Sequence, residues 1–229
     1  MTKAAAEIKT VETYEEAIAV IRKVGILPLS DCLPEHPSLG TITRESAWHT
    51  GLDTDPWLWR DRFAAEGIAA YGRFFAKKPI LVAASWVPHL IAALQPAKTL
   101  RRRYEEGSVS RDVIRLCELI EANDGIDVKV LRRTAGLHGK DDKKAFDDAL
   151  IELQAAGEAV IAGISERLNE QGTKNGWNST CYSTARQWLK RNGLKPLQLD
   201  REAAKEELLD KFARQASEAA VQKLAKYLK

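Results

Sequence analysis

The sequence predicts a mainly α-helical fold with short β-hairpins: tandem winged helix-turn-helix-like units followed by a C-terminal helix. Three observations predict it. The stretch 108–183 runs helix, stub strand, helix, turn, helix, hairpin; the stretch 14–96 places helices around one hairpin; and residues 201–228 carry a long apolar stripe. The division expected is a Trp-rich unit over 14–96, a basic connector over 97–107, the clearer winged helix over 108–183 and a helical extension over 184–229.

Residues before Tyr14 are expected to fray. Thr13 can cap a helix over residues 14–24, with Glu16 three positions on from the cap and Ala17, Ile18 and Ile21 facing inward. Gly25 ends it. The segment from Ile26 to Thr43 holds Pro28, Pro34, Pro37 and Gly40 and reads as an ordered loop pinned by Leu27, Leu29 and Leu33, a strap rather than an element. Asp55 followed by Pro56 marks a helix start, because the carboxylate can cap and proline fits the first helical position. That helix runs to about Ala65. Tyr71–Phe75 and Ile80–Ala83, joined by Ala76-Lys77-Lys78-Pro79, read as a hairpin. Ser85 is the expected cap of a helix over 86–94, with Pro88 tolerated in its first turn.

Ser110 caps a helix whose Val113, Leu116, Cys117 and Ile120 recur at helical spacing, and Asn123-Asp124-Gly125 stops it. Ile126 is a stub of strand and Asp127 caps a short helix over 128–135. A longer helix, 141–155, carries Phe146, Ala149, Leu150 and Leu153 as one stripe. The period then changes to two. Val160, Ala162 and Ile164 alternate as a strand, 169–176 is a polar turn, and 177–183 returns. A short helix follows over 184–191, and Asp200 caps a single long helix over 201–228.

Composition bounds the function. The chain has 229 residues and a net charge of +3 from 35 basic and 32 acidic side chains, so a nucleic-acid footprint has to come from clustering. No apolar run reaches the roughly 20 residues of a membrane helix, and the first residues lack a signal-peptide core. No membrane partner is expected, and the expected location is cytoplasmic. Cys32, Cys117 and Cys181 are far apart and suit reduced thiols. With no cluster at ligand spacing, no metal and no cofactor are expected.

Two groups of residues are candidates for chemistry. Arg101, Arg102 and Arg103 on the connector, Arg132 and Arg133 on the second helix, Lys140, Lys143 and Lys144 at the third, and Arg167, Lys174 and Asn175 on the hairpin are the candidate nucleic-acid contacts. In a winged helix the 141–155 helix would enter the major groove. Asp141, Asp142, Asp147, Asp148 and Glu152 share it, however, and the alternative is a scaffold helix with a solvated face. Trp48, Asp55, Trp57, Trp59, Arg60 and Tyr71 form a candidate pocket, where an extruded base would stack on indole while the polar groups bind its edge. The alternative is that the indoles are core. Trp57 and Trp59 are two apart on a helix and cannot face the same way.

The arrangement Trp48…Gly51…Asp55-Pro56-Trp57-x-Trp59-Arg60…Tyr71-Gly72-x-Phe74-Phe75-x-Lys77-Lys78…Trp86-x-Pro88, continued by Gly176-Trp177 and Tyr182-Ser183-Thr184, resembles the AlkZ-like winged-helix DNA glycosylase family. It is most like the shorter AlkZ-related subgroup. The resemblance implies a winged-helix fold, DNA as partner, duplex or damaged, and base-excision chemistry among the relatives. The catalytic members carry a Gln-x-Gln motif after the first helix. Here that region reads Leu27-Pro28-Leu29-Ser30-Asp31-Cys32, and Gln95, Gln154, Gln171, Gln187, Gln198, Gln215 and Gln222 are nowhere two apart. The family's catalytic residues therefore transfer to no position in this chain. Three functions remain open: a nucleic-acid-binding protein for damaged or distorted DNA, a glycosylase using Asp31, Asp53 or Asp55 in place of the Gln pair, or a non-catalytic protein-interaction module.

Overall fold

The computed structural model describes residues 9–165 and 178–228. Helix α1 (Tyr14–Val24) begins with a reciprocal cap: Glu16 N donates to Thr13 Oγ1 at 3.2 Å, and Thr13 N donates to Glu16 Oε2 at 3.1 Å. Gly25 ends it at φ 75°, and a Cβ there would lie 2.3 Å from the Trp86 indole, so the position needs glycine twice over. The expected strap is not all loop. Its start is strand β1 (Ile26–Pro28), and it contains a short helix α2 (Leu39–Ile42) capped by Ser38. Ile26 and Leu27 are fully buried, and pairing with a neighbouring strand satisfies their backbone where a loop could not. His36 is also buried. Its Nε2 donates to the Ile26 carbonyl at 2.7 Å, its ring meets Phe212, and burial pushes its pKa down.

Helix α3 (Pro56–Ala65) leads to the hairpin of β2 (Ala69–Phe75) and β3 (Lys78–Ala83). Pro79, expected in the turn, lies within β3. Register shifts between Gly72 and Phe75, so Arg73 and Phe74 bulge opposite the residue that has no N–H to offer. Helix α4 (Val87–Leu94) is entered through a 3-10 turn, Ala84–Trp86, so Trp86 rather than Ser85 holds the cap position and no side chain caps it. The basic connector contains a helix, α5 (Leu100–Glu105), capped by Thr99 Oγ1.

In the second half α6 (Arg111–Ala122), β4 (Ile126–Asp127), α7 (Val128–Thr134), α8 (Asp142–Ala155), β5 (Ala159–Ser165), β6 (Ser179–Thr184) and α9 (Ala185–Arg191) follow in order. The single C-terminal helix expected from Asp200 onward is two, α10 (Arg201–Ala213) and α11 (Glu218–Tyr227). Ser217 causes the break. Its Oγ accepts from Ala220 N at 3.1 Å as a cap and donates to the Pro34 carbonyl at 3.1 Å.

The strands form one antiparallel sheet in the order β1-β3-β2-β5-β6-β4. The fold is therefore a mixed one, helices around a six-stranded sheet, and not mainly α with isolated hairpins. The edge strands β1 and β4 are two or three residues long and carry no alternation, which is why the sheet was not visible as one object. The two halves meet through β2 and β5, which pair only at Tyr71 and Ile161. Beside that point the buried Gln154 of α8 takes over: its Oε1 accepts from Arg73 N at 2.9 Å and its Nε2 donates to the Leu150 carbonyl at 2.8 Å. Gly163 (φ 135°) sits at a bulge in β5, where a Cβ would lie 3.1 Å from Ala65 and hold α3 off the strand. One continuous apolar core runs through both halves, from Ile21 and Phe63 to Leu153, Trp188 and Phe212.

Candidate functional site

The start of α3 builds the most organised polar cluster in the first half. Asp55 is 1 % exposed, yet every hydrogen bond it accepts comes from main chain. Its Oδ1 takes Trp57 N (2.9 Å) and His49 N (3.0 Å), and its Oδ2 takes Gly51 N (2.9 Å). His49 (φ 61°) and Gly51 (φ 73°) both adopt left-handed conformations to aim those N–H groups. The Trp48–Gly51 turn is thus wrapped around the helix cap, and Asp55 is engaged structurally.

One turn on, Arg60 lies flat on the Trp57 indole with its guanidinium carbon 3.3 Å from the ring centroid. Its Nε donates to the Trp57 carbonyl at 3.0 Å and stands 3.5 Å from Asp61 Oδ2. The Asp61 side chain is 7 % exposed; burial raises its pKa and the Arg60 charge pulls it back. Tyr71 is buried, which raises its pKa, again opposed by Arg60. Register puts Tyr71, Ile161 and Tyr182 in one row across β2, β5 and β6. The Tyr182 hydroxyl is pushed up to about 12 by burial, with the exposed Arg73 lowering it. A stacked guanidinium, a buried carboxyl and two tyrosines therefore gather where the halves join. The set is largely buried, and Arg60 on the half-buried Trp57 is its more open part.

The indoles divide. Trp59 is buried with Nε1 donating to the Asp53 carbonyl at 2.6 Å, and Trp188 is buried with Nε1 donating to the Ala64 carbonyl at 3.2 Å. Trp86 packs on Gly25. Trp48 is half-buried and donates to Thr43 Oγ1. Trp57 is half-buried, with Arg60 on its face and His49 at 4.8 Å. Of the candidate pocket, then, Trp57, Arg60 and Tyr71 stand together, Asp55 supports them from below, and Trp59 is core.

The candidate cations are largely engaged. Arg101 pairs with Glu105 and Glu118, Arg102 with Glu105 and Glu106, and Arg103, only 13 % exposed, with Glu158 at 3.3 Å. Arg132 donates to the Leu137 and Gly139 carbonyls, both at 2.6 Å, and so clamps the turn between α7 and α8. Lys144 pairs with Asp148 at 2.6 Å. Arg133, Lys140 and Lys143 are exposed and form no ion pair among the described residues. Arg167, Lys174 and Asn175 lie outside the described residues. A cleft of about 340 Å³ beside α5, α6 and α9 is lined by Arg101, Arg186, Glu118, Glu121, Glu158 and Cys117. Its carboxylates face its arginines, and burial pushes the Cys117 thiol up to about 12. Among the described residues no three His, Cys, Asp or Glu side chains are grouped to hold a metal ion, and no helix is long and apolar enough to cross a membrane.

Sequence reasoning missed Asp61 and Gln154. A signal existed for Asp61: the buried positions of α3, Pro56, Trp59, Asp61, Phe63 and Ala64, form no single stripe, which marks a helix covered on more than one side. Gln154 follows the apolar Leu153 and carried no such mark.

A family model described as AlkZ related matches residues 11–229, and the chain belongs to the AlkZ-related family. Searches of curated proteins and of solved structures each found no match.

Proposed function

We propose, from membership of the AlkZ-related family and the cluster on α3, that this is a nucleic-acid-binding protein that recognises damaged or distorted DNA. The observation that carries the reading is Arg60 lying on the half-buried Trp57 beside the buried Asp61 and Tyr71. A base out of its stack loses its neighbours and finds most to gain from a flat π or guanidinium surface. Arg60 and Trp57 supply that surface, and the buried Asp61 and Tyr71 behind them hold the guanidinium in place. The order α6, β4, α7, α8, β5, β6 supports reading 108–183 as a winged helix-turn-helix with α8 in the recognition position, and 14–96 as a looser unit of the same plan. On α8 the pairing of Lys144 with Asp148 favours phosphate contact at Lys140 and Lys143 over base reading.

A second reading, a glycosylase with an Asp in place of the Gln pair, is favoured by one observation. Asp55 is engaged in main-chain bonds, whereas Asp61, buried beside Arg60 and Tyr71, could stabilise the positive charge that develops on a sugar as its base departs.

Fluorescence anisotropy with labelled intact duplex, abasic duplex and single strand at low salt tests the first reading. Tighter binding to the abasic duplex, lost in Trp57→Ala, is expected; no binding above a neutral control protein contradicts it. Release of methylated bases by the wild type and not by Asp61→Asn is the outcome expected of the second reading, and absence of product from the wild type removes it.

A further inference from the structure

A second cationic surface lies away from Trp57. In the β2–β3 hairpin Phe75 pairs with Lys78, leaving Ala76 and Lys77 as a two-residue loop in which both have φ 55°. Such loops need φ > 0 twice and ordinarily use Asn-Gly. Strain of this kind clusters at functional sites, where the surroundings hold it in place. Lys77 is the second residue of the loop. It borders a groove of about 730 Å³ whose lining includes Lys144, Asp148, Ile151, Arg201 and Tyr227. The groove's aromatic wall is a stack, Phe75 against Tyr227 at 5.9 Å and 16°. Lys223 Nζ stands 5.2 Å from the Tyr227 ring centroid, and Lys78 and Lys223 both act on the neighbouring Cys32 thiol. Positive charge thus arrives from the hairpin, α8, α10 and α11. Against it stand Asp148, already paired with Lys144, together with Glu152 and Asp31.

We propose that this groove binds a single strand of nucleic acid, its phosphates on Lys77 and Arg201 and one unpaired base against Tyr227. The inference rests on the nucleic-acid reading above and adds a second contact to it. The volume is within the range of sites that enclose a small planar ligand. A half-buried aromatic wall flanked by lysines is the pattern of single-strand binding, in which bases stack and cations follow the backbone. A paired base would stay inside its duplex and leave the apolar wall unused.

The test is anisotropy of a short fluorescein-labelled oligothymidylate with the full chain over a series of salt concentrations. Lys77→Gln/Arg201→Gln is expected to weaken binding and to make the slope of log K against log salt shallower by about 1.4, two phosphates at about 0.7 each. Lys77→Gly relieves the positive φ, so the chain stays folded, and it is expected to weaken binding as well. Arg22→Gln/Lys23→Gln, which alters two exposed cations of α1 outside the groove, is expected to match the wild type. If the wild type binds the single strand and the Lys77 and Arg201 variants match it in affinity and slope, the groove is not the site. If the wild type binds abasic duplex but no single strand, this inference falls and the proposed function stands. If it binds neither, both fall.

Discussion

Asp55 shows how much one side chain can organise. Its carboxylate accepts three main-chain N–H groups while almost fully buried, and the turn that carries His49 and the helix that carries Trp57 and Arg60 are both tied to it. Asp55→Ala removes a helix cap and the acceptor of two further main-chain N–H groups in an exposed turn, so a loss of roughly 1–2 kcal/mol is expected in urea denaturation. An unchanged midpoint would show that the turn holds without it. The Asp-Pro pair announces the cap in the sequence, because capping is local chemistry. That the same oxygens also hold His49 and Gly51 was not legible, since it needs the turn to fold back. Asp61 was less legible: α1, β2 and β5 pack against α3, and only the lack of a single apolar stripe on that helix hints at it.

Elements with strong local signals stand where the sequence places them. Thr13, Ser110, Asp127 and Asp200 each cap the helix that follows. The elements that were misjudged depend on contacts made across the chain. Strand β1 exists because β3 offers it an edge, and the α10–α11 break exists because Ser217 reaches Pro34 as well as its own helix. Ion pairing changed the meaning of α5 in the same way. Three consecutive arginines read as a basic patch, but Glu105, Glu106, Glu118 and Glu158 meet them in space. The exposed pairs, those of Arg101 and Arg102, contribute about 1 kcal/mol or less, so they neutralise the patch more than they stabilise the fold. The β2–β3 turn is the reverse case. Its two non-glycine residues at φ 55° cost stability, and Lys77→Gly is expected to raise it by roughly 1–2 kcal/mol, read from the shift in denaturation midpoint. A destabilised variant would show that the Lys77 side chain contributes to the fold and that the turn is not strained.

At the scale of the whole molecule, one sheet and one core join two sequence units that each contribute three strands. The joint is narrow, a single Tyr71–Ile161 pairing backed by Gln154, and the Arg60 cluster sits beside it. A ligand held there touches both halves. Charge follows the same logic: with a net charge of +3, binding has to come from open cations that folding clusters. The most direct test is amide hydrogen exchange of the full chain with and without a saturating abasic duplex. Slowed exchange across residues 48–62 and 71–75 is the expected result. Bound DNA with exchange in both segments unchanged would contradict the placement of the site on α3.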